Sequence, residues 1–351
     1  HIPMDAAPYA HDNRTYVPVR FAAQAFGCAV GWDVGDRTVI LIDMEKLVEE
    51  TLSKYDFTYL EKYLAYGQKY RTGIWDMNAD FDASLDMTGL LLGSTAESAP
   101  ITLDGTLEGV MAGGAKMDAA MGLTMDLRPF LKALTDGQNG GMSASDTELL
   151  DALAEEGIHM ELRGDLEAGQ LYISLGGAFL EQAAGTWYSM DMSAIYEDMG
   201  LDYGALMEMT TGDVDYTALL SLLLSTVEPN DKDTAYSELT QAVDLAAQLL
   251  RDDAWAVSGN DRILHYALEQ DGVAADFTFT LTMRGDDVSA YDLSVELSAD
   301  VDGSAPMSIS LQESMDADGR MEASMQCDAA GLMDLEFSMS GRYTEGKTAP
   351  E

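Results

Sequence analysis

The 351-residue chain is 47% hydrophobic and carries 62 acidic against 19 basic residues, a net charge of −43 at pH 7. That is apolar content for a sizeable core, but the field repels nucleic acid and anionic lipid headgroups. No apolar run approaches the roughly 18 residues of a membrane-crossing helix. Residues 1–43 hold five acids and three bases, and residues 44–72 five of each. The other 52 acids and 11 bases all lie in 73–351. Cys28 and Cys327 fall in separate segments and are expected as free thiols rather than a disulfide or a metal site.

In residues 1–43, the turn-like Asp12-Asn13-Arg14 precedes Thr15-Tyr-Val-Pro-Val-Arg20. Pro18 suits a first helical turn, and the helix carrying Phe21, Ala22, Ala25 and Phe26 should stop at Gly27. Val30–Asp33, a turn at Gly35-Asp36 and Arg37–Ile42 predict strand, turn, strand. Residues 44–70 predict one helix, with Leu47, Val48 and Leu52 and then Tyr59, Tyr63, Tyr66 and Tyr70 at helical spacings. Its tyrosines are expected to pack their rings on a neighbour.

From Ile74 to Met87 the odd positions Trp75, Met77, Ala79, Phe81, Ala83, Leu85 and Met87 are apolar, and the even positions from Asp76 to Asp86 are polar. This period-2 pattern predicts a strand about 45 Å long with one dry and one wet face. Further alternating runs lie at 101–111, 117–125, 158–166, 171–175 and 187–191. They resume at 277–283, 291–297, 307–311, 321–325 and 333–339. Ser145-Asp-Thr-Glu148 has the capping-box pattern for a helix ending at Gly157. Residues 193–251 change to helical period, with Leu239, Ala242, Val243, Ala246 and Leu250 forming one stripe.

Pro8-Tyr9, Arg14-Thr15, Val17-Pro18-Val19-Arg20, Ala25-Phe26-Gly27, Val30, Trp32-Asp33 and Thr38-Val39 resemble the later part of the copper amine oxidase N-terminal-like, or stalk, domain. The resemblance implies a surface context of the Gram-positive type and no activity, since the stalk lies apart from the oxidase's active site. The oxidase chemistry is absent in any case: the chain has neither a His-x-His pair nor an Asn-Tyr dipeptide. Farther on, Leu171-Tyr-Ile-Ser-Leu175 followed by Gly185-Thr-Trp-Tyr-Ser-Met-Asp191 is similar to a hairpin of the bacterial lipoprotein-carrier and LppX-like half-barrel superfamily. That resemblance implies a curved sheet with helices in its concavity around an apolar cavity for acyl chains.

Other motifs carry less. Gly341-Arg-Tyr-Thr-Glu-Gly-Lys-Thr348 fits a phosphate-loop spacing, which is only useful with a helix after the lysine. Asp76, Asn78, Asp80 and Asp82 mimic the start of a calcium loop, but Phe81 stands where glycine is needed and alternate strand residues cannot converge on an ion. His159 and His265 sit at wet parity with no nucleophile arranged beside them. No catalytic residue, metal ligand or cofactor is assigned.

The expectation is therefore an α+β chain: a partial stalk at 1–43, a connecting helix at 44–72 packed on the next domain, a half-barrel of about eleven or twelve antiparallel strands at 73–342 with a helical insertion at 193–251, and a flexible tail at 343–351. The dry-face methionines suggest a deformable lining for an apolar ligand, a lipid or isoprenoid. The residues expected to line it are Trp75, Met77, Phe81, Met160, Trp187, Tyr188, Met207, Leu219, Leu223, Met283, Met333 and Phe337, with the entrance along 193–227. The alternative is a structural or adhesive cell-wall protein whose half-barrel is filled by its own side chains. Beginning at His1 inside a folded motif, the sequence reads as a fragment, so the lack of a leader decides nothing.

Overall fold

The computed structural model describes residues 9–12, 14–24, 26–93, 95–113, 115–135, 143–178, 180, 185–198, 203, 204, 207, 221, 229–270, 272–300 and 307–350. In chain order, β1 (Tyr9–His11), β2 (Arg14–Tyr16), α1 (Val19–Gln24), β3 (Cys28–Asp33) and β4 (Thr38–Asp43) precede α2 (Met44–Leu52) and α3 (Thr58–Thr72). Then come β5 (Ile74–Asp86), α4 (Thr88–Leu92), β6 (Ile101–Ala112), β7 (Lys116–Asp126), α5 (Arg128–Thr135) and α6 (Ala144–Glu155). They are followed by β8 (Ile158–Asp165), β9 (Gln170–Gly177), β10 (Trp187–Asp191), α7 (Met192–Asp198) and α8 (Ala235–Leu250). The chain closes with β11 (Ala256–Ser258), β12 (Asp261–Gln270), β13 (Val273–Arg284), β14 (Asp287–Ala299), β15 (Met307–Met315), β16 (Arg320–Ala329) and β17 (Met333–Glu345). Two compact units result, His1–Leu64 with Ser193–Trp255, and Ala65–Met192 with Ala256–Glu351.

The first unit holds the densest apolar core among the described residues. The hairpin β3–β4 supplies Ala29, Ile40 and Ile42, α2 supplies Met44, Leu47, Val48 and Leu52, and α8 supplies Ala235, Leu239, Val243 and Ala247. Asp43 caps α2, its Oδ1 accepting from the Lys46 N–H at 3.1 Å. The single helix expected over 44–70 is instead two. The Tyr55 N–H closes a turn on the Leu52 carbonyl, and the bend carries Phe57 into the core. Across that core the Tyr55 hydroxyl donates to Asp244 Oδ1 at 2.6 Å. This grouping differs from boundaries drawn at 43, 72, 193 and 251. The apolar stripe of α8 is satisfied by α2 and the β3–β4 hairpin, so those segments share one core.

The second unit is a curved, open sheet of thirteen antiparallel strands, in the order β10-β9-β8-β7-β6-β5-β17-β16-β15-β14-β13-β12-β11. Two meanders, β5 to β10 and β11 to β17, are joined where β5 pairs with β17. The runs named from the sequence fall two short: β11 has three residues, too few to show alternation, and in β12 Arg262, Ile263 and Gln270 interrupt it. The register carries the odd positions of β5 across to Met339 and Phe337 of β17, Met321 of β16, Leu311 of β15, Leu293 of β14 and Phe279 of β13. In the other direction it carries them to Leu107, Met121, Met160 and Leu175. One face is thus predominantly apolar, interrupted by Glu313 and, on the strands near its margins, by Arg262, Gln270 and Glu345, and most of the acids, serines and threonines occupy the other. The second half of α3 lies on the apolar face, where the Tyr70 ring stands 4.7 Å from Trp75 and 5.6 Å from Tyr343.

Curvature has a local cause. Gly109 faces Ala119 directly, and Gly341 faces Ala79, all on the apolar side. A Cβ at Gly109 would stand 2.8 Å from that of Ala119, and one at Gly341 2.7 Å from that of Ala79. Opposed Cβ atoms are ordinarily about 4.5–5.5 Å apart. Only hydrogen fits, so at these strands the sheet is drawn in toward its dry face.

Smaller expectations meet mixed outcomes. The capping box of α6 forms two residues earlier than the pattern placed it, between Ser143 and Asp146, because an aspartate at the third helical position reaches back as well as a glutamate. Gly341–Glu345 belongs to β17 and no helix follows in 346–350, so the phosphate-loop spacing is coincidental. For the same reason Tyr343–Glu345, expected in a flexible tail, pairs with Trp75–Met77.

At the end of β7, Arg128 forms a clasp. Its Nε and Nη2 donate to Asp126 at 2.9 and 2.7 Å, and its Nη1 donates to Asp151 of α6 at 2.9 Å. The bond from Arg128 holds the Asp126 carboxyl below the usual carboxylate range, against a smaller opposing effect of burial. A depressed folded-state pKa lends stability that is present above the unfolded value, about 3.9, and is lost as pH falls through the folded one. Arg128→Ala is expected to lower the urea midpoint at pH 7 and to make it change less than wild type below about pH 4. A parallel shift of the whole pH curve would show that Asp126 owes nothing to Arg128.

Candidate ligand-binding face

The residues expected to line a ligand site divide cleanly when placed on the register. Met77 and Phe81 of β5, Met160 of β8, and Met333 and Phe337 of β17 share the apolar face and are all half-buried. Trp75 and Met283 share it too but are buried, at 8% and 6% exposure. Tyr188 lies on it at the β10 edge and is half open to solvent.

Trp187 does not join them. It pairs with Ser174, whereas Tyr188 pairs with Ile173, so the tryptophan projects from the wet face, with the Arg163 guanidinium 4.7 Å over its ring. Neighbours in a strand always take opposite faces, and assigning both to one lining ignored that. Met207 is half-buried and belongs to the first unit. Leu219 and Leu223, and most of the segment expected to form an entrance, lie outside the described residues.

Phe81 is set by its neighbour. Its partner in β6 is Gly105, and a Cβ there would collide with the far end of the Phe81 ring, so the ring occupies the space over the glycine. Apart from Val257 of β11 and Tyr188 at the β10 edge, the exposed apolar side chains of the face form a group at one end: Leu268 (60% exposed), Val273, Leu297 and Met307 on β12 to β15. Leu332, in the β16–β17 turn, and Leu90–Leu92 of α4 continue that rim. The Leu90 N–H donates to the Leu332 carbonyl at 2.8 Å.

The dry face is not wholly apolar. Glu313 of β15 occupies a dry-face position between Leu293 and Ala323 on the flanking strands. The Tyr291 hydroxyl donates to its Oε1 at 2.5 Å. Around them Tyr66 stands 6.2 Å from Tyr291 and 5.6 Å from Tyr70, near edge-to-face in both pairs, and Tyr70 adjoins Tyr343. Burial pushes the Tyr343 phenol up, with smaller contributions from Tyr70 and Glu313. The signal was present in the sequence. Glu313 falls at the parity of Met307, Ile309, Leu311 and Met315, where an acid breaks the pattern.

The wet face offers no comparable focus. Open grooves of about 450 Å³ run over it, one past Asp80, Asp82, Asp104 and His159, another past Asp276, Glu296 and Ser310. His265 Nε2 lies 3.0 Å from Asp276 in open solvent. Among the described residues, no three His, Cys, Asp or Glu side chains are grouped so as to hold a metal.

No curated protein matches the chain. Among solved structures, an outer membrane channel from Pseudomonas putida F1 aligns at 9% identity over 78% of this chain and 96% of its own, with a TM-score of 0.16. The translocator domain of the autotransporter NalP from Neisseria meningitidis aligns at 6% identity over 78% and 89%, with a TM-score of 0.17. Scores this low carry no argument about fold or function. No helix among the described residues is long and apolar enough to cross a membrane. Residues 1–61 match the copper amine oxidase N-terminal domain, a region that takes in α2 as well as the hairpin and helix from which the resemblance was read.

Proposed function

We propose that the protein is non-enzymatic and acts at the cell surface or outside the cell, taking an apolar ligand, such as a lipid or isoprenoid, on the dry face of its sheet. One observation carries this reading: the apolar face spans thirteen strands, yet Met77, Phe81, Met160, Met333 and Phe337 on it keep access to solvent. Leu264, Leu281, Met283 and Met315 mark a sealed part of the same face, and a separate buried cluster forms the core of the first unit. Backbone groups on the sheet are engaged in its ladders, so hydrophobic burial supplies the binding energy. At about 0.8 kcal/mol per buried CH₂, a chain of a dozen carbons gains several kcal/mol before ordering costs. Methionine lets such a surface adapt to ligands of varied shape. The exposed rim at Leu268, Leu297, Met307 and Leu332 is the end by which a ligand would enter. The surface setting draws on the stalk-domain match at residues 1–61, and the lipid class on the likeness of ground plan to half-barrel carriers.

Native mass spectrometry of protein purified from its source, followed by solvent extraction, tests the reading. A reproducible lipid mass is expected, and it should vanish in a folded Met333→Asp variant. A clean apo mass, with no uptake of a fluorescent fatty acid, would favour the structural or adhesive alternative.

A further inference from the structure

A carboxylate set inside an aromatic cluster on the dry face, three strands away from that face's arginine, Arg262, calls for a partner. Glu313 is half-buried, and its one hydrogen bond among the described residues comes from Tyr291, to Oε1. No lysine or arginine of the described residues lies within ion-pair distance of it. Tyr66, Tyr70 and Tyr343 close the surroundings with rings whose faces carry negative quadrupole charge. The cluster already accepts a cation of its own chain on its far side, where the Lys69 ammonium stands 5.1 Å from the centre of the Tyr70 ring and 5.2 Å from that of Trp75. A carboxylate and several phenol rings together favour one ligand chemistry, an organic ammonium, and disfavour sulfate or phosphate heads.

We infer that the apolar ligand is a cationic amphiphile whose ammonium head docks at Glu313 among Tyr66, Tyr291 and Tyr343 while its chain lies along the dry face. This rests on the proposed apolar-ligand function and names the head that the ligand would carry. A head at Glu313 would exchange water for the free carboxylate oxygen and the tyrosine faces, a desolvated setting in which cation–π attraction is strongest.

The test compares decyltrimethylammonium, a decyl glycoside and decyl sulfate, all below their micelle concentrations and at about 150 mM salt, by calorimetry on the full chain. The ammonium amphiphile is expected to bind about tenfold more tightly than the neutral one, and the sulfate more weakly than either. Glu313→Gln should abolish that preference and leave the neutral amphiphile unaffected. Glu336→Gln, an equal change of charge on the wet face, should preserve it. Tyr66→Leu, which keeps every charge, should reduce it several-fold and serves as the readout if Glu313→Gln does not fold. Equal binding of ammonium and neutral amphiphiles, or a preference that survives both Glu313→Gln and Tyr66→Leu, would overturn the inference while leaving the apolar-ligand reading in place. Binding of none of the three would overturn both.

Discussion

Leu47→Ala is expected to lower the stability of the first unit by about 2–5 kcal/mol, seen as an earlier urea midpoint with the slope preserved. Leu47 is 1% exposed and sits on the α2 face that meets Val48, Val243 and Ala247 in one cluster. Those neighbours are held by two helices and a hairpin, so the cavity cannot collapse cheaply. The α2–α8 pairing makes this unit, and α8 comes from a part of the chain far removed from α2. A loss below about 1 kcal/mol would mean that α2 is not locked against α8 in solution.

Gly341→Val is the second large effect, through overpacking rather than a void. The new Cβ would collide with the Ala79 Cβ and with the Asn78 carbonyl oxygen, both at 2.7 Å, and backbone cannot move aside as a side-chain tip can. Overpacking of this kind costs about 1–3 kcal/mol, and a β-branched residue gives the higher end of that range. Ala79→Gly added to Gly341→Val should recover part of the loss, since it removes one of the two collisions, and the coupling appears as non-additivity in a double-mutant cycle. Strictly additive losses would show that the two strands are not pinched together at this point.

Much of this fold was legible. Period-2 alternation placed β5, β13, β14 and β17, and it separated Met77 and Phe81 from Asp76 and Asp80 without error, because a strand's faces follow parity alone. Parity also held what was overlooked: Glu313 and Trp187 stand on their observed faces by simple counting. What could not be read was which segments share a core. The stripe of α8 is as consistent with lying on a sheet as with packing on α2, since amphipathicity specifies a buried face and not its partner. Nor does an apolar face announce whether it is covered. Phe81 and Leu47 look alike in sequence, yet one keeps access to water and the other is sealed.

The seam between β5 and β17 also sets an order of assembly. Hairpins within each meander close short loops and form early, whereas Asp82 and Ser338, which bond across the seam, are 256 residues apart in sequence. The seam must therefore close late, after the last strand has been made. Until then the nascent first meander presents a bare β5 edge and an uncovered apolar face, the usual ingredients of aggregation. The dense acids of the wet face give the unfinished sheet its protection, because half-built copies repel one another while they wait for β17.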